Sequence, residues 1–369
     1  MIASGAGATL SARDAVRTLP LYGPHATACT VDVGDNVNLW GAPPAALRVL
    51  ANANSATVSR YPSLYSETLR DAVLRYLGLG DVSGIGVVTG CGSDDVLDSA
   101  IRAFGGPGDE IAFPAPTFAM IPIFARLNGL VPSPVPMTDE FDVDPQQLVD
   151  RRARITYLCT PNNPTSTALA RETVEYVVAN AAGLVVIDEA YAEFAPETFA
   201  SLVAVSDRVL VTRTFSKAFG LAGLRVGYGV GSREIVEMVT RARGPYKVNT
   251  LAESAALASL GDTEDALGWV IRHATLAVEH RERLAAELRA IGVASPASAA
   301  NFLFLPTERA QELALRMHDR GVQVRALSGL SRDVTMLDEA AGNALRIGVG
   351  PWDVMERVRE TLREVLACV

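Results

Sequence analysis

Lys217 stands in the stretch TRTFSKAFGLAGLRVGYG, residues 212–229, between Ser216 and Ala218, with glycines at 220, 223, 227 and 229. A strand-like run, Arg208–Val211, precedes it, and no other charged side chain follows until Arg225. Most lone lysines are solvated surface groups. A lysine enclosed by close-packed backbone instead loses its proton easily, because desolvation disfavours the ammonium. The neutral amine is then a nucleophile toward an aldehyde.

Other residues of chemical interest end apolar runs in the same way. Asp188 closes LVVID, where a buried carboxylate needs a partner, a cation or a turn to cap. Asn162 and Asn163 lie between prolines in YLCTPNNPT, which makes either an aimed amide or a rigid turn. In VVTGCGSDDVLDS, Gly90 and Gly92 precede Ser93 and Asp94 at a helix start. Such a start can cradle an anion on its free N–H groups. It can equally be a plain turn capped by Ser93 or Asp94. A nucleophilic lysine, a buried carboxylate, an aimed amide and an anion cradle together suit pyridoxal 5′-phosphate. Its aldehyde, ring nitrogen, phenolic oxygen and phosphate need those four groups.

The elements that must position them follow from apolar patterning. LYSETLRDAVLRYLGL carries Leu69, Val73, Leu74 and Leu77 at helical spacing, and SDDVLDSAIRAF reads as a second helix. GIGVVTG, EIAFPAP, ITYLCT, GLVVIDEAY and RVLVTRT read as strands. Runs apolar throughout their length predict strands covered on both faces, hence an α/β fold with a mostly parallel sheet sandwiched by helices. Ligands of such sheets bind beyond the carboxyl ends of the strands. After GPYKVN the pattern predicts a long helical region capped by Thr250 with Glu253, then strand, helix and strands over 296–350. A last helix opens at Asp353, with Val354, Val358, Leu362 and Val365 on one face. The expected organisation is a large domain over 51–250 and a smaller α+β domain built from 1–50 and 251–369.

Composition limits the alternatives. The chain has 369 residues, 49% of them apolar, and a net charge of −9, which leaves no basic stripe for nucleic acid. Cys29, Cys91, Cys159 and Cys368 have no metal or disulfide spacing and read as small buried thiols of a reducing, cytoplasmic compartment. The four histidines, at 25, 273, 280 and 318, read as surface or capping residues, and no metal is expected. Neither a signal peptide nor a membrane span is expected.

Over nearly its whole length the sequence resembles the class I/II, fold-type I pyridoxal-phosphate aminotransferases, most closely the histidinol-phosphate aminotransferase branch. NVNLWGAPP, SRYPSLYSETLRDAV, GCGSDDVLD, FPAPTFAM, YLCTPNNPT, VVIDEAYAEF, TRTFSKAFGLAGLRVGYG, GPYKVN, ANFLF and LRIGVG stand in the family's order. The resemblance implies that Lys217 carries the cofactor and shuttles protons, Asp188 pairs with the ring nitrogen, and Asn163 and Tyr191 bond the phenolic oxygen. Gly92, Ser93, Asp94, Thr214, Ser216 and Arg225 would surround the phosphate, and Phe118 would stack on the ring. Tyr61 would reach the phosphate of a neighbouring subunit, which implies a homodimer. Arg346 would bind the substrate carboxylate, with a structural ion pair as its alternative. Arg325, Tyr22 and Asn36 would lie near the substrate.

Three departures bear on the substrate: Ser166 replaces a usual glycine, Lys247 a usual asparagine, and Ser63 the aspartate of RYPD. They leave histidine biosynthesis and a specialised secondary-metabolite pathway both open. Transamination between an amino acid, or a histidinol-phosphate-like amine, and a 2-oxo acid is the expected reaction. Decarboxylation of a phosphorylated amino acid and a non-catalytic ligand sensor are the alternatives.

Overall fold

A computed structural model describes residues 11–19 and 29–367. Its strands are β1 (Val31–Asp32), β2 (Ile85–Gly90), β3 (Glu110–Ala115), β4 (Val131–Pro136), β5 (Ile155–Cys159), β6 (Leu184–Asp188), β7 (Val209–Thr214), β8 (Gly227–Ser232), β9 (Phe302–Pro306), β10 (Val322–Gln323), β11 (Arg325–Leu327) and β12 (Ala344–Gly348). Seven form one sheet in the order β2-β8-β7-β6-β5-β3-β4. All its neighbours are parallel except at β8, which runs antiparallel to β2 and β7. Because β8 is reversed, β2 points the same way as β7. Gly90, Cys159, Asp188 and Thr214 therefore end their strands on one edge of the sheet, and Gly227 begins β8 there.

The predicted alternation holds, and β5, β6 and β7 are buried at every position. One face packs under Leu158, Val185, Ile187 and Val211, the other under Ile155, Tyr157, Val186 and Leu210. The sequence pattern did not reveal β4 and β8. β4 reads VPSPVP, and its prolines are tolerated because it is an edge strand. β8 reads GYGVGS, which looks like turn sequence. Its glycines admit neighbouring backbone: a Cβ on Gly227 would lie 2.4 Å from the Ser93 nitrogen.

A second sheet, β11-β12-β9, and the β1-β10 pair carry the smaller core of Leu303, Leu345, Ile347, Met355, Val358 and Leu362. The last helix is Trp352–Ala367, and Val358, Leu362 and Val365 are buried on it as the pattern predicts. The helix Pro44–Ala51 lies against the helix Thr250–Ser259, and Ala46, Ala252, Ala255 and Ala256 belong to the large sheet's core.

Several local expectations are corrected. Asn249, not Thr250, caps the helix Thr250–Ser259 by accepting from the Ala252 amide at 2.9 Å. Gly92, not Ser93 or Asp94, is the cap residue of the helix Ser93–Phe104, with no side-chain cap bond. Cys159 is buried, but Cys91 is exposed and Cys29 half-buried, while Cys368 lies outside the described residues. His273 and His280 are half-buried, pack among Trp40, Trp269 and Trp352 and bond the Trp269 and Gly350 carbonyls, and His25 lies outside the described residues.

Candidate active site

The segment after β7 is fixed by two buried rings, Phe215 and Phe219, whose centroids are 4.8 Å apart. With these rings turned into the core, Lys217 faces a cavity of about 390 Å³ at the carboxyl edge of the large sheet. Gly220 makes the turn possible at φ +66°, where the Gly41 carbonyl approaches so closely that no Cβ would fit. Asn38 Nδ2 donates to the Ala218 carbonyl at 2.8 Å. The N-terminal segment thus lies over Lys217, and Nζ donates to the Asp35 carbonyl at 3.2 Å. Burial, reinforced by the positive charge of Arg346, lowers the lysine from its usual 10.5 to about 8.

Asp188 ends the adjacent parallel strand and is buried on the same cavity wall. Oδ2 accepts from the Tyr157 hydroxyl at 2.8 Å. Oδ1 accepts from the Thr212 hydroxyl and the Ala190 amide, each at 3.2 Å. The turn-capping and partnered-carboxylate readings are therefore both true. Burial pushes Asp188 up to about 6, opposed by these hydrogen bonds. Next to it, Glu189 accepts from Arg213 at 2.9 Å and 2.8 Å in a buried ion pair that pins the strand end.

Opposite lies the start of the helix Ser93–Phe104. Lacking a side-chain cap, its first amides are left for an external acceptor. Arg225 donates to Ser216 Oγ at 3.3 Å and to Asp94 Oδ2 at 3.2 Å, and Thr214 donates to Ser216 at 3.0 Å. Burial raises Asp94 and Arg225 opposes that rise. A helix N-terminus, a guanidinium and two hydroxyls converging on one corner form a donor set for a phosphate dianion.

The far wall comes from the smaller sheet. Arg325 and Arg346 are cross-strand partners on β11 and β12. As expected from strand alternation, Leu345 and Ile347 are buried in the core while Arg346 faces the cavity. Arg346 donates to Asn163 Oδ1 at 2.8 Å and to the Gly34 carbonyl at 2.7 Å. Two of its partners are thus an amide oxygen and a backbone carbonyl. Asn36 Nδ2 donates to the Tyr191 hydroxyl at 3.3 Å, and its own Oδ1 is buried with no hydrogen-bond partner among the described residues. Burial raises Tyr191 to about 12, so its hydroxyl stays protonated.

The structure brings together Lys217, Asp188, Tyr191, Ser93, Asp94, Phe118, Asn163, Thr214, Ser216, Arg225, Asn36, Arg325 and Arg346, with Gly92 beside them as the cap residue. Asn162 is not among them: it donates to Pro116 O and Thr165 Oγ1 and accepts from Thr117, holding the loop that aims Asn163. Tyr61 is 82% exposed and stacks on Tyr246, outside its own chain's cavity. Tyr22 lies outside the described residues. Sequence reasoning missed Tyr157 and Thr212, whose only signal is a hydroxyl inside an apolar strand. A roomier cavity of about 770 Å³ surrounds Arg281 and Glu193. There Arg281 is held by Glu282, and Glu193 accepts from the Tyr76 hydroxyl. Lys217, Asp188 and Arg346 all line the smaller cavity instead.

These donors fit the cofactor that the resemblance implies. Asn36 Oδ1 awaits a donor, Asp188 retains an unfilled acceptor position, and Gly227 keeps the cradle open.

The family model for aminotransferases of class I and II matches residues 30–362. A histidinol-phosphate aminotransferase of Roseiflexus castenholzii is 37% identical over 89% of this chain and 88% of its own length. An aromatic amino acid aminotransferase of Mycobacterium tuberculosis is 36% identical over 86% and 91%. Among solved structures, the histidinol-phosphate aminotransferase of Sinorhizobium meliloti in complex with pyridoxal-5′-phosphate superposes with a TM-score of 0.81, at 23% identity, covering 95% of this chain and 97% of that one.

Proposed function

This chain belongs to the class I and II aminotransferases, and we propose that it moves an amino group between a 2-oxo acid and an amino acid or histidinol-phosphate-like amine. The observation that carries this reading is the shared cavity of Lys217 and Asp188, facing the Arg346–Asn163 pair. The cofactor is pyridoxal 5′-phosphate, which when bound supplies the aldehyde that takes up the amino group and the ring that spreads negative charge.

The chain's own residues do the rest. The helix start at Ser93, with Ser216 and Arg225, holds the phosphate. Asp188, ionised above about pH 6, holds a proton on the ring nitrogen. Tyr191 and Asn163 orient the phenolic oxygen. Lys217 is the residue that would hold the cofactor's aldehyde and, as a free amine, would take a proton from the substrate α-carbon and give it back. Its lowered proton affinity matches that work near neutral pH. Arg346, oriented by Asn163, anchors a substrate carboxylate or phosphate, with Arg325 beside it. Met120, Ile123, Leu327 and Leu330 add an apolar wall, which favours a planar or aromatic substrate side chain.

The same reading includes a homodimer in which Tyr61 serves the neighbouring site. It also includes a cytoplasmic setting, which suits the exposed free thiol of Cys91. A donor screen tests the function. The purified enzyme is mixed with single amino donors, histidinol phosphate and the aromatic amino acids first, and the loss of its visible cofactor band is followed without acceptor. Adding a 2-oxo acid should restore the band. Release of carbon dioxide without any need for a 2-oxo acid would replace transamination by decarboxylation.

A further inference from the structure

We propose that Tyr157 is a positioning residue for this reaction: its hydroxyl holds the Asp188 carboxylate ionised and turned so that the remaining acceptor position on Oδ2 faces the cofactor's ring nitrogen. The inference rests on the function proposed above and adds a residue to it.

An ionised carboxylate offers about four acceptor positions. The Thr212 hydroxyl and the Ala190 amide take two on Oδ1. Tyr157 takes one on Oδ2, at 2.8 Å the shortest of the three contacts. One position remains, on the oxygen that Tyr157 holds. Asp188 lines the cavity, so that last position is the one available to a ligand.

Strand register explains how Tyr157 gets there. Tyr157 pairs with Val186, and Cys159 with Asp188, on parallel β5 and β6. Residues two apart share a face, so Tyr157 and Asp188 lie on one side of the sheet as diagonal neighbours. A tyrosine is long enough to span that diagonal, with its ring in the apolar cluster of Ile111, Phe113 and Val186. A phenylalanine would fill the cluster equally well. The added hydroxyl would be costly there without a partner, and Asp188 is the partner.

The hydroxyl works against burial. Desolvation favours the neutral acid of Asp188, and donation by Tyr157 favours the anion. Burial and the adjacent carboxylate keep Tyr157 itself protonated, so it is a donor throughout the working pH range. A less basic carboxylate leaves the shared proton on the ring nitrogen; a more basic one draws it onto Asp188 and leaves two neutral groups.

The test uses holoenzyme loaded with pyridoxal phosphate carrying nitrogen-15 in the ring, with the nitrogen resonance followed against pH. Four proteins are compared: wild type, Tyr157→Phe, Asp188→Asn as the reference for a lost carboxylate, and Tyr228→Phe, a buried tyrosine whose hydroxyl lies beside Arg213. Tyr157→Phe removes one atom and keeps the packing ring. At neutral pH it should move the ring-nitrogen resonance from the protonated toward the unprotonated position, because the shared proton passes to a more basic Asp188. In the same variant kcat should fall while KM changes by less than about twofold, as expected when only the reacting state is affected. Tyr228→Phe should titrate like wild type. A Tyr157→Phe titration superimposed on wild type, with Asp188→Asn shifted, overturns the role of Tyr157 alone. An unshifted Asp188→Asn overturns the pairing of Asp188 with the ring and this inference with it.

Discussion

At the scale of single residues the decisive change is in Lys217. Half-buried in the cavity beside Arg346, it is lowered from its usual 10.5 to about 8. The reactive form is the amine, so reactivity is lost as pH falls through about 8 and is full above it. Trace acetylation of the apoenzyme, read by mass spectrometry of the Lys217 peptide, should therefore show a midpoint near 8. A midpoint above about 10, the range of a solvated lysine, would show that the cavity does not desolvate it. In the holoenzyme, borohydride reduction should fix the cofactor to that peptide and no other. Lys217→Ala should cost at least about 10³-fold in turnover, within the range of lost acid–base catalysis.

The strand-to-helix turn at Gly90–Ser93 is the element that builds the phosphate corner, and it depends on β8. Gly227 begins β8 beneath that turn, and a Cβ there would meet the Ser93 nitrogen at 2.4 Å and the Gly92 carbon at 2.6 Å. Backbone cannot swing aside like a side-chain tip, so Gly227→Ala must displace the helix start. Overpacking of this kind costs about 1–3 kcal/mol. We expect cofactor affinity, measured by equilibrium titration, to fall at least about tenfold. Gly223→Ala is the control, since a Cβ there meets nothing within 4 Å. Equal losses in both variants would show that the effect is not the contact with Ser93. The dependence was not visible beforehand, because GYGVGS has no strand propensity and only its neighbours β2 and β7 make it a strand.

On the scale of the whole molecule, the site joins two sheets, since Arg346 on β12 reaches Asn163 beyond β5. Within one chain Tyr61 is left outside, exposed and stacked on Tyr246. If it completes a neighbour's phosphate corner, mixing Lys217→Ala with Tyr61→Phe chains will form heterodimers in which one site carries both defects and the other neither. Activity should then exceed the mean of the two parents. A mixture at the parental mean would show that Tyr61 serves its own chain or none.

The mostly parallel α/β plan was legible in the apolar runs, because strands apolar throughout are covered on both faces. Residue types also marked Lys217, Asp188 and the Asn162–Asn163 pair near the ends of such strands, and the family resemblance added Arg346. Spacing along the chain carries no information about which edge of a sheet two strand ends share. The tertiary structure decided that the reversed β8 lies under the helix start at Ser93. It decided that Asn162 braces the loop while Asn163 meets Arg346. It also decided that a tyrosine within an apolar strand reaches diagonally to Asp188. These are contacts between residues far apart in the chain, set by strand order and register, and a hydroxyl in an apolar run reads as core until its neighbour across the sheet is known.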